Sequence, residues 1–227
     1  MKRILIVTDS LGAPRDVNGE KIEYEDTWIY KLKNNYINSI DVDVIFITIN
    51  GLDSNQLLQL TNDKLKLYNA DLILFQFGIV DCAPRVLKNI EIKIISILRL
   101  SGLIKKIISK YHSKLSNLRN IQSINIYEFE KNVKRIYEIL KNIDIKVIHI
   151  PIAPPCSKYI QHSPYINKNI NNYNNILKKY SDIFLDNSYL DIEIENIFLS
   201  DLHHLNKLGH ELLFKNIKNS IKNLIGK

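Results

Sequence analysis

The sequence predicts an α/β fold, a three-layer α/β/α sandwich around a central parallel sheet of about five strands. Two features of the chain lead to this prediction. Short apolar runs rich in β-branched residues alternate with longer segments whose apolar residues recur at helical spacing. The first run, residues 4–7 (ILIV), contains no polar residue, which is typical of a strand buried on both faces at the centre of a parallel sheet.

Four further apolar runs predict the remaining strands, at residues 42–49, 71–77, 145–150 and 182–185. Apolar residues at every third or fourth position predict the helices, at residues 27–37, 54–67, 126–142 and 207–225, with a loop and then a helix in 157–175. Because helices alternate with strands, right-handed crossovers would place helices on both faces of the sheet.

A long basic segment with helical spacing, residues 86–120, falls between the third strand and the helix that should follow it. We interpret it as an inserted helical hairpin with a break near Ser101 and Gly102. Because the hairpin would begin beside the edge of the sheet, the sequence is compatible with two roles for it. It acts as a lid over a site, or it only covers the sheet.

Length and composition favour one domain that spans residues 1–227, since a chain of this size suits a single α/β unit and 45% apolar residues suffice for a core. No stretch is long and apolar enough to cross a membrane. Lys2 and Arg3 lead directly into the first strand with no signal peptide before them, so we expect a cytoplasmic protein. The sequence does not indicate an oligomeric state.

Two cysteines, Cys82 and Cys156, are too few for a disulfide framework or a zinc site, so we expect reduced thiols and no metal. The net charge of +7 is not accompanied by a nucleic-acid-binding motif, so we expect no nucleic-acid partner. A solvated basic surface explains the charge most simply, and attraction of an acidic substrate is the alternative.

Polar or glycine-containing loops follow the first three predicted strands, at the sheet edge where open α/β folds bind ligands. Asp9 and Ser10 end the first strand, Gly51 follows the second, and residues 78–85 follow the third. A fourth polar stretch, residues 201–204, precedes the last helix. Asp9 and Ser10 also suit a plain turn, so on their own they do not establish a site.

A serine such as Ser10 is a weak nucleophile at neutral pH and needs a base, which a histidine held by a carboxylate can supply. Asp201 and His204 lie three residues apart before a helix, a spacing that can present both side chains to one neighbour. His203 and His210 are alternative bases, although His210 falls inside the last helix, where we expect a hydrogen-bonded structural histidine.

The order of these pieces resembles that of the SGNH, or GDSL-type, hydrolase superfamily, whose motif residues lie in four blocks. Residues 8–11 (TDSL) are similar to the first block, Gly-Asp-Ser-Leu, and Gly51 matches the single glycine of the second. Residues 78–81 (GIVD) lie where the third block, Gly-x-Asn-Asp, belongs, and residues 201–204 (DLHH) match the final Asp-x-x-His. The resemblance covers essentially the whole chain and implies the flavodoxin-like SGNH hydrolase fold.

The resemblance implies a serine esterase that needs no cofactor. Ser10 would be the nucleophile, His204 its base, and Asp201 the carboxylate that orients His204. The N–H groups of Ser10 and Gly51 would form the oxyanion hole. The family often acts on small O-acyl groups such as acetyl, so we expect a small-molecule or glycan substrate. An O-acyltransferase with the same catalytic triad is the alternative, because both reactions share the acyl-enzyme.

One position departs from the family pattern. Val80 stands where the third block has an asparagine whose side chain donates to the oxyanion. Valine donates nothing, and the loss of one such donor typically lowers the rate by about 10²–10³. The departure keeps a third interpretation open, a non-catalytic protein that binds an anionic ligand.

Two Ala-Pro-Arg tripeptides end the loops after the first and third strands and place Arg15 and Arg85 beside the blocks. Proline stiffens each loop, and arginine suits bidentate binding of a carboxylate or phosphate. We therefore assign Arg15 and Arg85, together with Asp81, to substrate binding, which suits an acidic sugar or glycan precursor. The arginines are also candidates for the missing oxyanion donor, and ion pairs with Asp9, Asp16 or Asp81 are the alternative.

Overall fold

Seven strands and nine α-helices occur in the part of the chain that the computed structural model describes, residues 1–36, 41–97, 101–190 and 193–225. The strands are β1 (Lys2–Thr8), β2 (Arg15–Val17), β3 (Glu20–Ile22), β4 (Val42–Thr48), β5 (Leu72–Gln76), β6 (Lys146–His149) and β7 (Ile183–Phe184). The helices are α1 (Trp28–Tyr36), α2 (Ser54–Asp63), α3 (Ile79–Cys82), α4 (Asn89–Ile97), α5 (Ser101–Arg119), α6 (Ile126–Lys141), α7 (Ser157–His162), α8 (Ile166–Tyr180) and α9 (Lys207–Ile225). All five predicted strands are present, and Ile37, the last residue of the first predicted helix, lies outside the described residues.

Five strands form one parallel sheet in the order β4-β1-β5-β6-β7. In the register of this sheet, Leu5 on β1 lies between Ile45 on β4 and Ile73 on β5. Because the strands are parallel, their carboxyl ends share one edge, and the segments that follow β1, β4 and β5 leave the sheet together. The predicted parallel sheet of five strands is therefore confirmed.

Apolar side chains on β1 alternate between two cores, one on each face of the sheet. Leu5 and Val7 pack with α2, α6 and α8, whereas Ile4 and Ile6 pack with α1 and α9. All four side chains are buried, and each contributes about 1.5–3 kcal/mol to the folded state. Burial on both faces explains why this run contains no polar residue, and the three-layer sandwich is as predicted.

The inserted segment forms α4 and α5, and its two ends meet. The Arg85 N–H donates to the Ile121 carbonyl at 2.7 Å, and the Arg119 guanidinium pairs with the Glu91 carboxylate at 2.6 Å. α5 begins at the predicted break, and residues 98–100 lie outside the described residues. No described helix, the inserted pair included, is long and apolar enough to cross a membrane.

A β-hairpin that the sequence analysis did not predict, β2 and β3, occupies the polar stretch after the first loop. Its turn is Asn18-Gly19, with φ angles of 53° and 87°. Asparagine and glycine tolerate this left-handed backbone, so the dipeptide is the sequence feature that could have identified the hairpin. The Glu20 carboxylate accepts a hydrogen bond from the Ser200 N–H at 2.7 Å, so the hairpin supports the loop before α9.

Gly209 lies where α9 comes into close contact with the loop that precedes it. A Cβ atom at this position would lie 2.7 Å from the Ile197 carbonyl oxygen, so Gly209→Ala must push two backbone segments apart. We expect the free energy of unfolding, measured by urea denaturation, to fall by about 1–3 kcal/mol.

Gly102→Ala is the matched control. A Cβ atom on Gly102, in α5, meets nothing within 4 Å, and alanine is the better helix former, so the free energy of unfolding should not fall. Equal losses in the two variants would contradict the close approach at Gly209.

Candidate active site

Ser10 lies in a tight turn directly after β1. The Asp9 carboxylate accepts a hydrogen bond from the Leu11 N–H at 2.9 Å, and Ser10–Gly12 form one turn of 3-10 helix. The Ala13 N–H donates to the Ser10 carbonyl at 3.2 Å and closes the turn. These bonds hold Ser10, half-buried, at the carboxyl edge of the sheet.

Gly12 lets this turn pack against Thr8, which stands where the first SGNH block has glycine. A Cβ atom on Gly12 would lie 2.6 Å from Thr8 Cγ2 and 2.5 Å from Ile29 Cδ1. Thr8 is buried and donates its hydroxyl to Gln76 Oε1 at 3.0 Å. The larger residue at the start of the block is therefore accommodated by a glycine beyond the serine.

The loop that carries Asp201 and His204 turns back on itself. The Leu199 N–H donates to the His204 carbonyl at 2.8 Å, and the Asp201 carboxylate accepts from the His204 N–H at 3.1 Å. Leu202, between them, has a φ of 72°, a left-handed conformation that is costly for leucine. The hydrogen bonds of the loop hold this strained residue in place.

Ser10, His204 and Asp201 form a hydrogen-bonded chain. Ser10 Oγ lies 3.0 Å from His204 Nε2, and His204 Nδ1 lies 2.6 Å from Asp201 Oδ2. An ionised carboxylate can only accept, so His204 Nδ1 carries the proton, and Nε2 is left to accept from the Ser10 hydroxyl. The structure thus brings together the three residues that the sequence predicted as catalytic, in the geometry of nucleophile, base and orienting carboxylate.

The surroundings of His204 and Asp201 favour this protonation state at neutral pH. Burial lowers the pKa of His204 below its usual value, although the hydrogen bond to Asp201 acts in the opposite direction. Burial opposes ionisation of Asp201, but its hydrogen bond to His204 and the nearby His203 hold the pKa of Asp201 below its usual range. A neutral imidazole next to a charged carboxylate is ready to accept a proton.

Two backbone N–H groups at the sheet edge lack an acceptor. Among the described residues, neither the Ser10 N–H nor the Gly51 N–H donates a hydrogen bond to the protein. Gly51 is exposed in the turn after β4, with a φ of 73°. Val80 lies on α3 and packs its apolar side chain against the core, so it offers no donor. Both predicted oxyanion donors are therefore available to a ligand.

A small apolar cavity opens beside the serine. Leu11 and His203, the residues that follow Ser10 and precede His204, line it together with Ile79 and Tyr159. Its volume is about 10 Å³, close to that needed for one water molecule. The cavity lies beside the neighbours of Ser10 and His204, and neither of those two residues lines it.

No family model matches the sequence, and no curated protein matches it either. Solved structures are similar over nearly the whole chain. A psychrotrophic esterase from Pseudoalteromonas sp., inhibited by monoethylphosphonate, aligns over 100% of both chains with a TM-score of 0.62 and 16% identity. A GDSL-like lipase from Bacteroides thetaiotaomicron aligns over 98% of this chain and 89% of its own, with a TM-score of 0.61 and 16% identity. The acetyl xylan esterase AlAXEase aligns over 96% of this chain and 99% of its own, with a TM-score of 0.65 and 18% identity.

The chain has the SGNH hydrolase fold. At these identities the likeness establishes the fold, as the four sequence blocks predicted, and the activity has to be inferred from the site itself.

Arg15 lies against the turn that carries Ser10 in this SGNH fold. Its Nη2 donates to the Ser10 carbonyl at 3.1 Å, and its Nε is buried and meets no acceptor in the described part of the chain. Arg15 has no ion pair there either, so the alternative pairing is not formed among these residues. Burial lowers the pKa of Arg15, and the nearby Asp201 and Asp9 act against this shift.

Arg85 lies at the base of the insertion. Its backbone pairs with Ile121, and its side chain borders a surface depression with Lys88 and Gln122. Arg85 is not among the residues that line the cavity beside Ser10. A role in substrate binding stays a prediction for Arg85, and its surroundings do not strengthen it.

Asp81 does not reach the surface. Its side chain is fully buried, and one oxygen accepts a hydrogen bond from the Ser54 N–H at the start of α2, at 2.9 Å. A side chain with no exposed surface cannot contact a substrate, so we correct the assignment of Asp81 to substrate binding. Asp81 instead links α3 to the first turn of α2.

The alternative bases occupy other places in the SGNH fold. The His203 ring lies 4.0 Å from that of His204, and its Nδ1 lies 2.9 Å from the Asp201 carbonyl oxygen. His210 is buried in α9, where its Nδ1 accepts from the Trp28 N–H at 3.3 Å and burial lowers its pKa to about 4. His210 is therefore a structural histidine, as the sequence analysis expected.

The site also contains a group of side chains that could bind a cation. Its ligand atoms, which lie within 4.8 Å of one another, come from Asp201, His203 and His204. Asp201 and His204 already share a hydrogen bond in this arrangement. A cation bound there would displace the proton on which a basic His204 depends, so the cluster does not support a metal cofactor for this site.

Asp9 and Asp81 are two buried carboxyls beneath the site. Burial raises the pKa of each to about 7, and the charge of Asp81 adds to the shift at Asp9. One oxygen of each has no partner in the described part of the chain. Burial therefore favours the protonated form of both carboxyls, compared with exposed aspartates.

Asp81→Asn tests this interpretation. Because the folded-state pKa of about 7 exceeds the ordinary 3.8, the contribution to stability is complete below pH 3.8 and is lost as the pH rises through 7. Asparagine keeps an acceptor for the Ser54 N–H and does not ionise. Between pH 5 and 8 the free energy of unfolding should therefore fall less in the variant than in the wild type, by roughly 1–3 kcal/mol. Urea denaturation across this pH range measures the difference. If the free energy of unfolding of the wild type and of the variant changed equally with pH, the raised pKa of Asp81 would be contradicted.

Proposed function

We propose that this protein is a serine esterase that removes a small O-acyl group, acetyl above all, from a carbohydrate through an acyl-enzyme on Ser10. The observation that carries the proposal is the hydrogen-bonded chain from Ser10 Oγ through His204 to Asp201. A hydroxyl with a neutral base at 3.0 Å and a charged carboxylate behind the base is the arrangement that activates a serine nucleophile. Similar folds in two esterases and a lipase support the same chemistry.

Acylation begins when Ser10 Oγ attacks the carbonyl carbon of the ester and His204 Nε2 takes the hydroxyl proton. The carbonyl oxygen becomes an oxyanion, to which the N–H groups of Ser10 and Gly51 donate. As the intermediate collapses, the bond to the sugar oxygen breaks and His204 gives its proton to that oxygen. The sugar leaves with a free hydroxyl, and the acyl group stays on Ser10.

Deacylation repeats these steps with water. His204 takes a proton from the water as it attacks the acyl carbonyl, and then returns a proton to Ser10 Oγ as the acid leaves. Asp201 stays ionised and stabilises the imidazolium in both half-reactions. In an acyltransferase, a sugar hydroxyl would replace the water at this step.

The cavity between Leu11 and His203 supports a short acyl group. Its volume of about 10 Å³ suits the methyl of an acetyl group, and its lining is mainly apolar. We expect a longer acyl chain to fit less well, because the space between these side chains is small.

Arg15 supports an anionic substituent on the sugar. Its guanidinium lies at the turn of the nucleophile, has no carboxylate partner in the described part of the chain, and keeps a buried N–H without an acceptor. Because this Nε is buried, a carboxylate of the substrate would bind the part of the half-buried guanidinium that reaches the surface. The substrate in this proposal is thus an acidic sugar or glycan precursor, and the cytoplasm is its expected location.

Hydrolysis of 4-nitrophenyl esters tests the activity. The wild type should cleave the acetate with a kcat/KM at least about tenfold above that for the octanoate, because the acyl cavity is small. Ser10→Ala should lower kcat by at least about 10³. The exposed Ser188→Ala is the matched control and should keep wild-type activity.

A fluorophosphonate probe supplies an independent readout, with stoichiometric labelling of the wild type and none of Ser10→Ala. Absence of both labelling and hydrolysis in a folded wild type would favour the non-catalytic, anion-binding interpretation.

Analysis of the products formed from an acetylated donor and a sugar acceptor separates hydrolysis from acyl transfer. Free acetate equal to the donor consumed supports the esterase, whereas acetylated acceptor would identify a transferase.

Arg15→Gln tests the acidic substrate. A hydrogen bond to a charged group contributes about 1.5–3 kcal/mol, so KM for an O-acetylated uronic acid should rise about tenfold or more, and KM for a neutral acetylated sugar should not change. Arg15→Lys keeps the charge but loses the planar guanidinium, so its KM for the O-acetylated uronic acid should lie between those of the wild type and Arg15→Gln. An equal loss of kcat on both substrates would show instead that Arg15 only supports the Ser10 turn.

A further inference from the structure

The inserted segment accounts for the whole net charge of the protein. Residues 86–119 contain eight lysines and arginines and a single acidic residue, Glu91, so their net charge of +7 equals that of the full chain. The remaining residues balance to zero. Glu91 is paired with Arg119 at 2.6 Å, inside the segment. Any long-range attraction for an anionic partner is therefore directed to this hairpin.

α4 exposes aliphatic side chains over its length. Ile90, Ile92, Ile94 and Ile97 have exposed fractions of 64%, 47%, 50% and 79%. No described residue of α4 is buried. Ile90, Ile94 and Ile97 are spaced by four and three residues and so share one face of α4, whereas Ile92 lies on another side. Single exposed apolar residues are ordinary, but a group that shares a helix face marks a surface that binds an apolar partner.

An exposed face of α5 carries positive charge in the same inserted segment. Lys106, Lys110 and Lys114 are exposed and recur every fourth residue, so they lie close to one face of the helix. Ile107 and Tyr111 are exposed next to them. A lysine in such a row can lay its aliphatic stem on apolar surface and keep its ammonium group in a polar layer.

We propose that the inserted hairpin, through Ile90, Ile94 and Ile97 of α4 and the five exposed residues of α5, docks the protein on the surface of a bilayer that contains anionic lipids. Helices with lysines beside exposed aliphatic side chains lie in the plane of the interface, where the apolar groups enter the acyl boundary and the lysines meet anionic headgroups. A nucleic acid would match the charge but would leave the isoleucines in water. The attachment is peripheral, and it does not depend on the proposed esterase activity.

One short helix joins the inserted hairpin to the candidate site. Ser113 Oγ on α5 donates to the Gln161 carbonyl on α7 at 2.9 Å, and the His112 ring stacks on that of His162 with centroids 3.9 Å apart. Tyr159 on α7 lines the cavity beside the serine. The inserted hairpin is therefore connected to the candidate site through α7.

Vesicle flotation of the full chain tests the proposal. The wild type should float with phosphatidylcholine vesicles that contain about 30% phosphatidylglycerol, and at least about tenfold less with pure phosphatidylcholine, because anionic headgroups supply the attraction. Raising the salt from about 0.1 M to about 0.5 M should weaken flotation, since exposed charges are screened.

Two variants separate the charge from the apolar contacts. The triple variant Lys106→Gln/Lys110→Gln/Lys114→Gln should bind anionic vesicles at least about tenfold more weakly. Ile90→Ser/Ile94→Ser should weaken binding to anionic vesicles by a comparable factor. The matched controls lie outside the insertion: Lys141→Gln/Lys146→Gln/Lys168→Gln removes three exposed lysines, and Leu67→Ser removes an exposed leucine. Both controls should float like the wild type, and circular dichroism verifies that every variant is folded.

The proposal is supported if the wild type is monomeric and floats with anionic vesicles, and if both insertion variants no longer float with them. Equal flotation with neutral and anionic vesicles, or unchanged flotation of folded insertion variants, would overturn it. A dimer detected by light scattering and abolished by Ile90→Ser/Ile94→Ser, without vesicle binding, would show that the face binds a second copy of the chain and would also overturn it.

Discussion

The hydrogen bond between Ser10 Oγ and His204 Nε2 is the contact on which the site depends, and it joins residues 194 positions apart. Neither residue lies in a strand or an α-helix. Ser10 is held by the Asp9-capped turn after β1, and His204 by the carboxylate three residues before it. The parallel sheet brings the two together, because α9 packs on the face formed by Ile4 and Ile6. A slip of one residue in β1 would turn these side chains to the wrong face and displace Ser10.

Unpartnered buried polar atoms and a strained backbone residue lie near this contact, as they also do at some other places in the described chain. Asp9 and Asp81 each leave one buried oxygen without a partner in the described residues, and Leu202 has a left-handed backbone in the loop of the histidine. Each of these features lowers stability, and the two apolar cores offset the cost. In the proposed esterase reaction, groups held in this way would need little rearrangement as charge develops, which is how a preorganised site lowers an activation barrier.

The parts of the fold that follow hydrophobic periodicity could be predicted from the sequence. The run in β1 alternates between two cores, and the helical stripes of α6, α8 and α9 face them, so pattern and burial agree. The Ser10, Asp201 and His204 cluster could also be predicted, because strand order brings the ends of particular segments to one edge. The burial of Asp81 could not, since it depends on how α3 packs against the first turn of α2. The position of Arg85 was equally hidden, because the insertion it supports has no counterpart in the sequence blocks.

The β2–β3 hairpin connects the surface of the protein with both halves of the Ser10, His204 and Asp201 cluster. It begins at Arg15, which holds the carbonyl of the nucleophile, and through Glu20 it holds the N–H of Ser200, next to Asp201. The intervening residues are largely exposed and carry none of the core. Changes along this ribbon can therefore alter the spacing between serine and histidine while leaving the reacting groups intact. Such a surface element gives natural variation, or an engineer, a means of tuning turnover from outside the pocket.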